Sequence, residues 1–177
     1  MGEERNAFER LFRGHHLAVH RYALRRVGER AADDVVAETF MVAWRRHEEI
    51  VGDPLPWLLG VARRVCANQL RASVRQASLG RRLAAESLPL SEDVPIADGR
   101  LKQALGQLRE RDREVVLLVA WDGLSNDGAA KVLGCTTTAF RVRLHRARVR
   151  LAQALDEADS RAAAINQSGG MATSDAH

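Results

Sequence analysis

Between Thr136 and Leu155 the chain carries five arginines, at positions 141, 143, 146, 148 and 150, and no carboxylate. Guanidinium groups at that density suit a polyanion, because each stays charged and can grip a phosphate or a guanine edge through two parallel hydrogen bonds. A second basic stretch, between Trp57 and Ala85, has six arginines and again no Asp or Glu. Arg64, Arg71, Arg75 and Arg82 step by seven, four and seven, so they share roughly one helical face with Asn68, and Arg63 adjoins it. Trp57 opens that stretch. A ring at the head of a basic helix suits single-stranded nucleic acid, with a base on the aromatic and phosphates on the arginines. Taken alone, Trp57 suits the core equally well. A third cluster has the opposite sign: ADDVVAETF (32–40) sets Asp33, Asp34 and Glu38 among apolar residues. Acids repel nucleic acid, so a basic protein partner is the physical expectation, with ordinary N-terminal dipole acids as the alternative.

The first basic stretch sits in LSNDGAAKVLGCTTTAFRVRLHRARVRL (124–151). Ser125 can cap a helix over Asn126–Leu133, Gly134 supplies a left-handed residue to end it, and Thr136 caps a second helix to Leu155. Ala129, Ala130 and Leu133 face inward on the first. Phe140, Leu144, Ala147 and Leu151, at steps of four, three and four, make the inner stripe of the second. This is a helix-turn-helix pattern, whose second helix enters the major groove by its first turns. Thr136 heads that helix, and Thr137, Thr138 and Arg141 then stand at base edges. Arg143, Arg146 and Arg148 lie further along, at phosphates. A solvated arginine-rich helix is the bland alternative; caps, turn glycine, inner stripe and missing acids together favour DNA.

The remaining periodicity predicts an all-α chain. Phe8, Leu11, Phe12, His15, Val19 and Tyr22 line one face of a first helix. After a turn at Gly28, Asp33 and Asp34 open a second helix with a stripe of Val36, Phe40, Ala43 and Trp44. Gly52, Asp53, Pro54 and Pro56 break it, and a third helix runs from near Trp57 to about Arg75. Leucines and valines from Leu101 to Val119 resume the pattern. Two small helical domains follow, at 7–77 and 101–157, joined by an acidic linker (78–100), with 158–177 expected to be a disordered tail.

With 46% hydrophobic but only 5% aromatic residues, the cores must be mostly Leu, Val and Ala. Basic residues outnumber acidic ones by 27 to 23, which fits a polyanionic partner without proving one. The charged N-terminus reads as no secretory signal, and the longest apolar run, Val115–Trp121, is too short for a membrane span. Cys66 and Cys135 lack CxxC partners and read as buried thiols in a reducing cytoplasm. His16 and His20 share a face, but local spacing places no third ligand, so no metal is expected. There is no Gly-rich phosphate loop and no nucleophile–base set. Neither a cofactor nor an enzyme is expected.

Together these stretches resemble one family, the extracytoplasmic-function sigma factors of bacterial RNA polymerase. FERLFRGHHLAVHRYALRRVG (8–28), ADDVVAETFMVAWRR (32–46) and PWLLGVARRVCANQLR (56–71) are similar to sigma region 2, and 101–151 resembles sigma region 4. The resemblance implies that Asp33, Asp34, Val35 and Glu38 dock on the β′ clamp coiled coil of core RNA polymerase. It implies that Trp57, Arg63, Arg64, Asn68, Arg71 and Arg75 melt and read the minus-ten element of promoter DNA. The helix from Thr136 would read the minus-thirty-five element while its domain contacts the β flap. An anti-sigma factor is a further partner the family admits. The chain departs from the common pattern at Arg64 (Asn), Ala37 (Gln) and Gly128–Ala129 (Glu-Ile), and the last implies a thinner first helix of the motif. The rival reading is a helix-turn-helix regulator that binds duplex DNA as a dimer without polymerase.

Overall fold

Helix α1 (Gly2–Val27) runs into α2 (Glu29–Arg45) through Gly28, whose φ of 76° is the left-handed break that a residue with Cβ would resist. A short 3-10 turn at His47–Glu49 leads to α3 (Pro54–Ser78). The second half contains α4 (Gly99–Gln107), α5 (Glu110–Ala120), α6 (Asn126–Leu133) and α7 (Thr137–Gly169). This computed structural model describes residues 2–78 and 98–169, with side chains to Arg75 in the first segment and Ser160 in the second. Among the described residues there is no strand. Most of the expected linker, Arg82 and residues 170–177 lie outside them.

Helices α1, α2 and α3 pack mutually as a three-helix bundle. Val19, Tyr22 and Ala23 meet Ala32, Val35, Phe40 and Ala43 of α2 and Leu58, Leu59, Ala62, Val65 and Cys66 of α3, all buried. The buried stripe of α2 is thus Ala32, Val35, Thr39, Phe40 and Ala43. Val36 is only half-buried and Trp44 is 48% exposed, its ring edge-on to Phe8 at 5.0 Å. The expected stripe was rotated by about one residue. α2 also starts earlier than expected, at Glu29, which leaves Asp33 and Asp34 in the second turn and not at the dipole-favoured first one.

α3 also starts earlier than its prolines suggest. Pro54 and Pro56 occupy the first turn, where a missing N–H leaves nothing unpaired, and Asp53 Oδ1 accepts from the Leu55 N–H at 3.1 Å. At the other end of the linker Asp98 is a cap: its side chain accepts from the N–H groups of Arg100 and Leu101.

In the second half the inner stripe of α7 is Phe140, Leu144 and Ala147, buried, with Leu151 half-buried. It continues through Ala154 and Ala158, which are buried as α7 packs against α4, and Arg100 grips Asp159 at 2.8 Å. The backbone therefore stays helical to Gly169, where disorder was expected from residue 158. Ala–Ala packing carries too little hydrophobicity to stand out from a polar tail, yet alanine is the best helix former. Phe140 is fully buried, so Phe140→Ala should destabilise this half by about 3–5 kcal/mol, read by urea unfolding.

The two halves touch. α6 lies on α3, and one apolar cluster joins Leu58 and Val61 of the bundle to Val115, Leu118, Ala129 and Val132 of the second half.

Candidate nucleic-acid interface

The helix-turn-helix geometry is built locally. Ser125 Oγ accepts from the Gly128 N–H at 3.1 Å, Gly134 takes φ 65° and ψ 39°, and Thr136 Oγ1 accepts from the Ala139 N–H at 3.2 Å. With the inner stripe of α7 fixed, a helical step of about 100° per residue sets the opposite face. Thr138, Val142, His145 and Arg146 fall there and are exposed, flanked by exposed Arg141 and Arg148 on one side and Arg143 on the other. Among the described residues these four arginines make no ion pair. Arg150 is different: its Nη1 donates to Asp112 at 2.5 Å and pins α7 to α5. Thr137 donates to Asp127 Oδ1 at 2.6 Å, so its hydroxyl is already engaged within the motif. Val142, 46% exposed, and His145 were not among the expected readers. Their steps of two and five from Phe140 were the available signal.

On α3, Arg64, Asn68, Arg71 and Arg75 are all exposed along one face, with Arg71 Nη2 donating to Asn68 Oδ1 at 2.6 Å. Trp57 is half-buried against the bundle core. Arg63 departs from the expectation. It is half-buried and turned to the second half of the chain, where its Nε donates to Glu114 Oε1 at 2.9 Å. It lies about 100° around the helix from Arg64, off the basic face. In this arrangement it is a seam residue.

The acidic face presents Asp33, Asp34 and Glu38, all exposed, with Asp33 within 3.4 Å of His20. Val35 is completely buried, so the expectation that it docks a partner is corrected: it packs in the core. Met41, 52% exposed and one turn beyond Glu38, joins this face instead.

The seam between the halves is polar at its centre, which sequence reasoning missed. Glu114, buried in the second turn of α5, pairs with Arg26 and Arg63 and accepts from the Tyr22 hydroxyl at 3.4 Å. Arg25 Nη2 donates to both Asp122 oxygens at 2.5 and 2.7 Å, and both side chains are only 5% exposed. Burial raises the Asp122 carboxyl above the usual aspartate range, opposed but not cancelled by the charge of Arg25. Burial also drives the Tyr22 hydroxyl far up, which keeps it a neutral donor. The Cys66 thiol is pushed up to about 11 by burial, so it is an inert core group. Beside the seam lies a cleft of about 550 Å³, lined by Trp57, Gly60, Arg64, Lys131 and Gly134 among others. Among the described residues no group of His, Cys, Asp and Glu is arranged to hold a metal ion, and no helix is long and apolar enough to cross a membrane.

Comparison with known proteins gives a coherent frame for these surfaces. Residues 11–76 match the family model for sigma-70 region 2, and residues 98–151 match that for sigma-70 region 4. The RNA polymerase sigma factor NccH of Alcaligenes xylosoxydans xylosoxydans is 30% identical over 141 residues, covering 71% of this chain and 73% of its own. The ECF RNA polymerase sigma factor SigM of Mycobacterium tuberculosis is 30% identical over 168 residues, covering 86% and 79%. Among solved structures, the sigma factor RpoE in complex with the anti-sigma factor NepR from Bartonella quintana superposes with a TM-score of 0.65 at 25% identity. That match covers 85% of this chain and 97% of the other. With one family model on each basic helix and likeness to sigma factors across both halves, the chain belongs to the sigma-70 family as an extracytoplasmic-function sigma factor, which directs RNA polymerase to promoters.

Proposed function

We propose that promoter reading in this sigma factor is divided between two faces. Thr136 at the cap of α7, with Thr138, Arg141, Val142 and His145 on the helix, meets base edges of the minus-thirty-five element, while Arg143, Arg146 and Arg148 hold its phosphates. The carrying observation is that those four arginines are exposed, with no ion pair among the described residues, on a helix whose opposite face packs into the core. Arg64, Asn68, Arg71 and Arg75, with Trp57 at the head of α3, handle the minus-ten element as it becomes single-stranded. Asp34 and Glu38, with Asp33 beside them and Met41 one turn on, dock the β′ clamp coiled coil, and the α4–α7 half contacts the β flap. The whole assembly acts in the cytoplasm, where the polymerase is. Because the matching RpoE structure is a complex with an anti-sigma factor, a protein of that kind is proposed as a regulatory partner here too. A dimeric regulator working without polymerase is the disfavoured reading, since it leaves the region 2 match unused.

Arg141→Ala tests the division. One bidentate arginine–base contact is worth about 1–3 kcal/mol, so run-off transcription from a cognate promoter should fall roughly 5- to 150-fold, with specificity relaxed at one base pair. Retention by core polymerase should be unchanged. Equal losses in both assays would remove the assignment of α7.

A further inference from the structure

Val142 is the apolar member of the outward face formed by Thr138, Val142, His145 and Arg146, with Arg141 and Arg143 on either side of it. It is 46% exposed and lies outside the apolar cluster that holds Phe140 and Leu144. The fold therefore sets no need for an apolar side chain there. Nor does the helix, because valine is among the weaker helix formers and the alanine or arginine that α7 uses elsewhere would serve it better. What valine supplies is a fixed apolar shape. Its branched Cβ confines χ1 largely to one rotamer in a helix, so both methyls stand in place before any ligand arrives.

The major groove presents one apolar group, the C5-methyl of thymine, among edges otherwise made of donors and acceptors. An isopropyl group set against a guanine, adenine or cytosine edge would strip water from polar atoms and return no hydrogen bond. Against a thymine methyl it removes apolar surface from water on both sides. Adjacent helical residues rise by about 1.5 Å and base pairs stack at about 3.4 Å, so the bases met by Arg141 and Val142 fall within about two pairs of each other.

We propose that Val142 is a thymine reader: its isopropyl group covers the C5-methyl of one thymine in the minus-thirty-five element, beside the base pair that Arg141 reads. This rests on the placement of α7 in the major groove and goes beyond it by naming the base. The test compares polymerase holoenzymes carrying the parental chain, Val142→Ala or Val149→Ala on a promoter duplex selected by the parental holoenzyme from a random-sequence library. Each thymine of the minus-thirty-five element, on either strand, is replaced in turn by deoxyuridine, which lacks the methyl and keeps the hydrogen-bonding groups. For the parental protein one replacement should weaken binding about 4-fold, the worth of one buried methyl. Val142→Ala should bind the thymine duplex more weakly and show no further loss at that position, as two partners of one contact do. Val149→Ala removes an equally apolar side chain, 45% exposed and seven residues further along the helix, and should keep the parental pattern. Deoxyuridine losses that are the same for Val142→Ala and the parent at every position would overturn the thymine contact. So would a selected element with no thymine within about two pairs of the base pair at which Arg141→Ala relaxes specificity. Failure of the underlying placement looks different: Arg141→Ala would then discriminate among base pairs as the parent does, and no deoxyuridine would matter to either protein.

Discussion

Asp34→Arg combined with Glu38→Arg should reduce retention of the full chain by core RNA polymerase at least 100-fold. Both carboxylates are exposed, one turn apart on α2, and among the described residues neither makes an ion pair, so the substitutions break no salt bridge there. Their effect falls on the partner alone. Placing two cations against a basic docking surface exchanges attraction for like-charge repulsion, which costs several kcal/mol, and about 2.7 kcal/mol is already a factor of 100. Far-UV circular dichroism and the unfolding midpoint should be unchanged, as should binding of duplex minus-thirty-five DNA by the free chain. The contrast with Val35 is informative. Val35→Ala would also weaken docking, but only through loss of packing at a completely buried site, and the unfolding midpoint would fall with it. Undiminished pull-down by the charge-reversed protein would remove the docking face.

What could be read from the sequence was whatever is determined within a few residues. The cap at Ser125, the left-handed Gly134 and the cap at Thr136 all appear as expected, because each is a local hydrogen-bond requirement with few chemical solutions. The α6 boundaries match residue for residue. Periodicity also fixed the inner stripe of α7, since steps of four and three admit one face only. It failed on α2, where Val35 and Val36 are adjacent, equally apolar and 100° apart. Packing against α1 and α3 decides which of them faces inward: Val35 is buried with Ala32, Thr39 and Ala43, and Val36 is half-buried. The seam was illegible for a different reason. Tyr22 and Glu114 are 92 residues apart, and Arg25 and Asp122 are 97 apart, so no local spacing connects them. The glutamate that heads the apolar run Val115–Ala120 was the available hint, and one acid among the charged residues at 109–114 does not stand out. Arg63 was misassigned by the same gap: adjacent to Arg64 in sequence, it answers to an acid on another domain.

Removing the phosphate grip separates the two roles assigned to α7. Arg143→Ala, Arg146→Ala and Arg148→Ala together delete three exposed cations that make no ion pair or hydrogen bond among the described residues, so folding should be unaffected. Each phosphate contact releases about 0.9 of a counterion, so the log–log salt dependence of promoter binding by the holoenzyme should become shallower by about 2.7. The loss of affinity should be nearly uniform across promoter sequences and largest at low salt, shrinking as salt rises. Arg141→Ala behaves in the opposite way, with a change concentrated at one base pair and a slope nearly preserved. That opposition is what distinguishes a reader from a clamp on a helix whose exposed cations are arginines throughout its first turns. If the triple variant kept the parental slope, these side chains would be solvated and not in contact with DNA. The electrostatic footing of promoter binding would then have to come from the Arg64–Arg75 face of α3 alone.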